Sequence, residues 1–150
     1  MRPRLASVAL ALAFLLADVQ WTSAQMAVHT VSITTDGSGN ATAYTKDTYG
    51  RISAIRYVPD VSTPLTATAD LTITDNETGL TVMVITDIGS IALNLFPRAA
   101  MIDTTGAAVL YASGGQAVRD QIPVGGAIKV VVSGGGASKL GTLYFFIEGR

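Results

Sequence analysis

The chain alternates apolar and polar positions in short runs. Val31 and Ile33 stand between Thr30, Ser32 and Thr34, the two-residue period of a strand with one buried face. Asp36-Gly37-Ser38-Gly39-Asn40 follows as a turn, because Gly and Asn tolerate the positive φ of tight hairpins, and residues 41–45 read as the returning strand. Tyr49-Gly50 suggests another turn, leading into a strand over 51–58. Its Ile52, Ala54 and Val58 are expected on one side and Ile55 and Tyr57 on the other, as in a strand covered on both faces. Pro59 and Pro64 bracket a loop. Leu71 and Ile73, spaced by Thr72, predict a further strand, and Asp75-Asn76-Glu77-Thr78-Gly79 a turn into 80–86, where Val82-Met83-Val84-Ile85 looks buried on both sides. Ile91, Leu93 and Leu95 predict one more strand, stopped by Pro97.

From Phe96 onward small residues and glycines alternate with short hydrophobic runs, the last two being 128–132 and 143–147. The glycine-rich segment 133–142 between them reads as a long hairpin. Many short strands spaced by Gly, Pro and Asn, with no amphipathic helix between them, predict an all-β chain. The architecture expected is one antiparallel β-sandwich or jelly-roll-like domain over 25–150. The 150 residues suffice for one sizeable core, and no linker or internal repeat divides them.

The first 24 residues are set apart. Arg2 and Arg4 precede an uncharged apolar run over 5–17, and Thr22-Ser23-Ala24 offers small residues at its exit. This is the layout of a secretory signal, with an apolar run too short to span a bilayer unaided. The alternative is an apolar helix or arm that anchors the chain in an assembly. Net charge is −1 for the whole chain; without Arg2, Arg4 and Asp18, 8 basic and 10 acidic residues remain, a net of −2. With no basic block and few aromatics, nucleic acid is not an expected ligand. There are no cysteines, which excludes disulfides and thiolate metal sites. Charged residues are only 14% of the chain, a sparse solvating surface that argues for burial against other subunits.

Candidate chemistry is thin. His29 is the only histidine, without a nearby acidic or serine partner, so neither a zinc site nor a Ser-His-Asp triad is expected, and no serine lies in a Gly-x-Ser-x-Gly elbow. Asp36, Ser38 and Asn40 space their oxygens like a calcium loop. An EF-hand, however, requires Gly where Ala41 stands and Glu where Asp47 stands. The segment 133–142 lacks the Gly-x-x-x-x-Gly-Lys-[Ser/Thr] spacing of a phosphate loop. Asn40-Ala41-Thr42 and Asn76-Glu77-Thr78 match the glycosylation sequon, a pattern frequent by chance. Loop carboxylates could in principle serve a hydrolase, but their Asn and Gly neighbours explain them as turn formers. The residues therefore predict no catalytic, cofactor or metal site, and not an enzyme.

Several blocks resemble small β-rich proteins encoded among the structural genes of tailed bacteriophages. They are Gly50-Arg51-Ile52 with Ile55-Arg56-Tyr57-Val58; Ala69-Asp70-Leu71-Thr72-Ile73-Thr74 with Glu77-Thr78-Gly79; Phe96-Pro97-Arg98-Ala99; Gly106-Ala107-Ala108 with Leu110-Tyr111-Ala112 and Gly114-Gly115; and Ile128-Lys129-Val130-Val131-Val132 with Gly135, Lys139, Gly141 and Thr142. The resemblance runs from about Val28 to Gly149. It implies a virion component that decorates the capsid or forms a short fibre or collar at the head–tail junction. Its partners would be itself, as a homo-oligomer with a trimer among the options, and capsid or portal-side proteins; no stable membrane span is implied. The family pattern carries no catalytic residues, and the leader-like start departs from it. Phe96, Pro97, Arg98, Leu110 and Tyr111 are the candidate interface residues, since Arg and aromatic side chains are enriched at interface centres; Phe96 and Leu110 as plain core is the competing expectation. The competing function is an exported, secreted or periplasmic β-sandwich that binds a surface carbohydrate or protein, with the first 24 residues removed.

Overall fold

The computed structural model describes residues 25–149; the leader-like segment 1–24 lies outside them. The described chain is all-β, with ten strands and no helix. They are β1 (Met26–Thr34), β2 (Ala41–Tyr44), β3 (Thr48–Pro59), β4 (Asp70–Asp75), β5 (Thr81–Ile85), β6 (Leu93–Leu95), β7 (Arg98–Ala100), β8 (Arg119–Gly126), β9 (Ile128–Ser133) and β10 (Leu140–Glu148). A six-stranded sheet runs β1-β10-β3-β8-β7, with β6 also pairing β3, and a four-stranded sheet runs β2-β9-β4-β5. All the pairings between these strands are antiparallel.

The alternation seen in the sequence becomes the core. Val31 and Ile33 of β1, Ile52, Ile55 and Tyr57 of β3, and Leu143, Phe145 and Ile147 of β10 are buried from the large sheet. Leu71, Ile73, Ile128, Val130 and Val132 are buried from the small one, and all belong to a single hydrophobic cluster. At roughly 1.5–3 kcal/mol for each large aliphatic or aromatic side chain removed from water, this cluster is the main favourable term in folding.

Four expectations are corrected. First, the segments predicted as hairpins around 36–40 and 133–142 are crossings between sheets. β1 and β10 lie in the large sheet, whereas β2 and β9 lie in the small one. The two crossings pack on each other: Thr35 N–H donates to the Lys139 carbonyl at 3.0 Å and Gly135 N–H to the Gly39 carbonyl at 2.8 Å. Thr66 binds the Gly134 carbonyl through its hydroxyl at 2.6 Å. Glycine is required by proximity here, since a Cβ on Gly39 would sit 2.8 Å from the Gly136 nitrogen.

Second, Tyr49-Gly50 is no turn but part of β3, where Gly50 has a φ of +152° and faces the Glu148 carbonyl with no space for a Cβ. Third, Ile52, Ile55 and Tyr57 share the inner face. In the pairing with β10, Phe146 opposes Ala54 and Ile147 opposes Ile52, so Ser53 is an extra residue that shifts the alternation by one. Fourth, β5 is an edge strand, so Val82 is buried but Val84 is 59% exposed; the strand predicted from Ile91 begins only at Leu93.

Two strands lacked a clear signal. β7 has only three residues, and β8 carries Pro123, a residue foreign to strand interiors. Proline is accommodated because β7 pairs β8 only over Arg119–Gln121, leaving Pro123 with β3 alone as its neighbour.

Candidate interaction surface

Between β7 and β8 the chain leaves the sheet and builds a lobe over residues 101–118. Its base is a closed ring of main-chain bonds. Met101 N–H donates to the Val118 carbonyl at 2.8 Å, Val118 N–H to Val109 at 2.8 Å and Val109 N–H to Met101 at 2.9 Å. Three successive stretches of the lobe thereby hold one another without a buried core. Two turns grow from this ring. In one, Asp103 N–H reaches the Ala107 carbonyl at 2.8 Å, and in the other Tyr111 N–H reaches Gln116 at 3.1 Å. Gly106 and Gly114 supply the positive φ, +86° and +70°, that these reversals need.

Asp103 braces the first turn. Its Oδ1 accepts from the Thr105 hydroxyl at 2.7 Å, the Thr105 amide at 2.8 Å and the Ala107 amide at 3.0 Å. The Thr105 hydroxyl first, then these amides, hold its carboxyl below the ordinary aspartate value. Asp103 is the only side chain charged at neutral pH between Ala99 and Val118.

The lobe turns apolar side chains outward. Met101, Ile102, Leu110 and Tyr111 are all exposed, Tyr111 at 76%. Phe96, just before β7, is 65% exposed. Of the candidates from the sequence, Leu110 and Tyr111 therefore share the lobe and Phe96 stands outside the core. Pro97 is buried and Arg98 half-buried. The Arg98 guanidinium donates to the Ser53 carbonyl at 3.2 Å and to the Pro97 carbonyl at 2.8 Å. It thus serves the main chain at the very residue that bulges β3. Met101 and Ile102 escaped sequence reasoning; their position directly before the turn formers Asp103-Thr104-Thr105-Gly106 was the available signal.

The other chemistry-bearing residues have local duties. His29 Nε2 lies 3.1 Å from the Thr48 hydroxyl. Asp36 Oδ1 accepts from the amides of Ser38 and Asn40 at 2.8 and 2.9 Å, which makes 36–40 an Asx-type loop. Among the described residues no group of three or more His, Cys, Asp or Glu is placed to hold a metal ion. Comparison with family models, with curated proteins and with solved structures returned no match.

Proposed function

We propose that this protein is a β-sandwich of jelly-roll-like type that serves as a structural component of a tailed-phage virion, decorating the capsid or forming a short fibre or collar at the head–tail junction. The observation that carries the reading is the lobe 101–118. An ordered, almost uncharged projection that holds Met101, Ile102, Leu110 and Tyr111 in water is costly for a free protein and useful to one that meets a neighbouring subunit of a particle. Tyr111 and Leu110 are the anchors, and Phe96 extends the same apolar character along the chain. Arg98 acts as a latch on Ser53 and Pro97 as packing, so neither is an anchor.

The experiment is quantitation of the protein on purified particles assembled with the wild type and with Tyr111→Ala or Leu110→Ala. Both side chains are exposed, so the isolated variants keep the wild-type melting temperature. Loss of an anchor worth about 1.4 kcal/mol lowers affinity about tenfold and occupancy accordingly. Absence of the wild-type chain from particles, or full occupancy by both variants, would falsify the reading.

A further inference from the structure

The outer face of the large sheet carries a second feature, centred on β3 and separate from the residues of the lobe. An open groove of about 770 Å³ crosses β10, β3 and β8, with Tyr49, Arg51, Gln121, Pro123 and Glu148 on its walls. Its volume is that of a small-molecule site. Register explains the gathering: Arg51 lies opposite Glu148 on one side and Pro123 on the other, and Tyr49 lies opposite Gly125. Gly125 has no side chain and open space around its Cα, so one flank of the Tyr49 ring is uncovered; Tyr49 is 70% exposed.

From these side chains we infer that the groove is a binding site for a neutral oligosaccharide of pyranose rings with equatorial hydroxyls. Such a ring has a flat C–H face that stacks on an aromatic side chain, and adjacent hydroxyls that match planar groups able to bond twice. Tyr49 supplies the platform. Arg51, Gln121 and Glu148 supply guanidinium, amide and carboxylate, with Gln121 Nε2 donating to Glu148 Oε2 at 3.3 Å and so holding two of the three in place.

Charge selects against anionic ligands. Arg51 is already neutralised by Asp120, 2.8 Å away, so among the described lining residues Glu148 is the one uncompensated charge. The strands of the floor select against an extended peptide. β10 and β3 are interior strands of the sheet with their main-chain groups spent on neighbours. β8, free on its other side beyond Gln121, presents there Pro123, which has no N–H, so recognition runs chiefly through side chains. The Arg51–Asp120 pair is half-exposed and contributes little to stability, which is consistent with a pair kept for orientation.

The test is titration of the isotope-labelled protein with cellohexaose, laminarihexaose and chitohexaose, followed by amide shifts. The expected result is a saturable perturbation by at least one of them, centred on Tyr49, Arg51, Gln121, Gly125 and Glu148. Tyr49→Ala is expected to weaken that binding about tenfold or more, the loss of roughly 1.4 kcal/mol. Gly125→Phe is expected to abolish it by filling the free flank. Gly125 lacks a positive φ and a Cβ there meets nothing within 4 Å, so the substitution begins without backbone strain or a Cβ clash, and its melting temperature checks that the fold is kept. No saturable response to any of the three sugars, a response centred on another face, or binding indifferent to both variants would overturn the assignment. Particle occupancy reads the lobe and sugar titration reads the groove, so either can fail alone.

Discussion

Asp75 is the residue whose replacement tests the packing of the two sheets most directly. It closes β4 in the small sheet and is 1% exposed. Its Oδ1 accepts from the amides of Glu77 and Thr78 at 2.9 and 3.1 Å, and its Oδ2 from the amide of Gly125, in the large sheet, at 2.7 Å. Bonds to a charged acceptor are worth about 1.5–3 kcal/mol each, but the two turn amides can partly recover water, so Asp75→Ala should cost about 3 kcal/mol. Asp75→Asn keeps one oxygen for the turn and sets an amide nitrogen against the Gly125 N–H, a loss of about 2 kcal/mol. For a chain of this size these correspond to about 10 °C and 6–7 °C in melting temperature.

The pH dependence provides a second reading. Burial raises the Asp75 pKa, but the Gly125, Thr78 and Glu77 amides and the Thr78 hydroxyl outweigh it and leave it below the ordinary value. A carboxyl whose folded pKa is depressed contributes stability that is complete above its unfolded pKa, near 3.9, and is lost as pH falls through the folded value. Urea denaturation of wild type and Asp75→Asn between pH 7 and pH 2.5 should therefore show their difference shrinking towards the acid end. The other depressed carboxylates, Asp60 and Asp103, are present in both proteins and cancel. An Asn variant within 0.5 kcal/mol of wild type at pH 7, roughly the level of an ordinary surface change, would show that Asp75 does not tie the sheets together.

Other positions yield sharper contrasts. Gly50→Ala places a methyl against the Glu148 carbonyl at a φ of +152° and should cost about 3 kcal/mol or prevent folding, whereas Gly37→Ala, with nothing within 4 Å, should stay within about 0.5 kcal/mol; chemical denaturation compares them. Arg98→Ala uncovers the Ser53 carbonyl and should lower stability by about 1–2 kcal/mol, with Arg98→Lys recovering part of it in thermal melts; no change would release Arg98 from its latch role. Asp103→Ala should speed amide exchange at Thr105 and Ala107 while leaving the melting temperature of the whole chain unchanged, since the turn is braced locally and sits outside the core.

Strand content was largely legible because period-two burial is written directly in residues such as Val31 and Ile33 or Leu71 and Ile73. What the pattern could not convey was which sheet a strand joins. The loops 36–40 and 133–142 have hairpin composition, but their glycines are there so that two crossings can touch, and that contact joins residues about 100 positions apart, such as Thr35 and Lys139. The side assignment within β3 failed for one residue's sake: Ser53 bulges, and no local feature of a serine announces that. At the interaction surface, Leu110 and Tyr111 could be picked out by type, but exposure could not, so Pro97 looked equal to Phe96 until burial separated them. The groove was invisible in the sequence because Tyr49, Gln121 and Glu148 meet only through the pairing of three strands.

The position of β10 has a consequence for how the protein is made. It lies between β1 and β3, with Thr30 opposite Tyr144 and Tyr144 opposite Arg56, so a strand made after the other nine described is an inner plank of the larger sheet. Until residues 140–148 emerge, β1 lacks its one sheet neighbour among the described strands, and one edge of β3 must wait unpaired. Stop codons or frameshifts upstream of Leu140 should consequently yield aggregation-prone chains, not shortened folded ones.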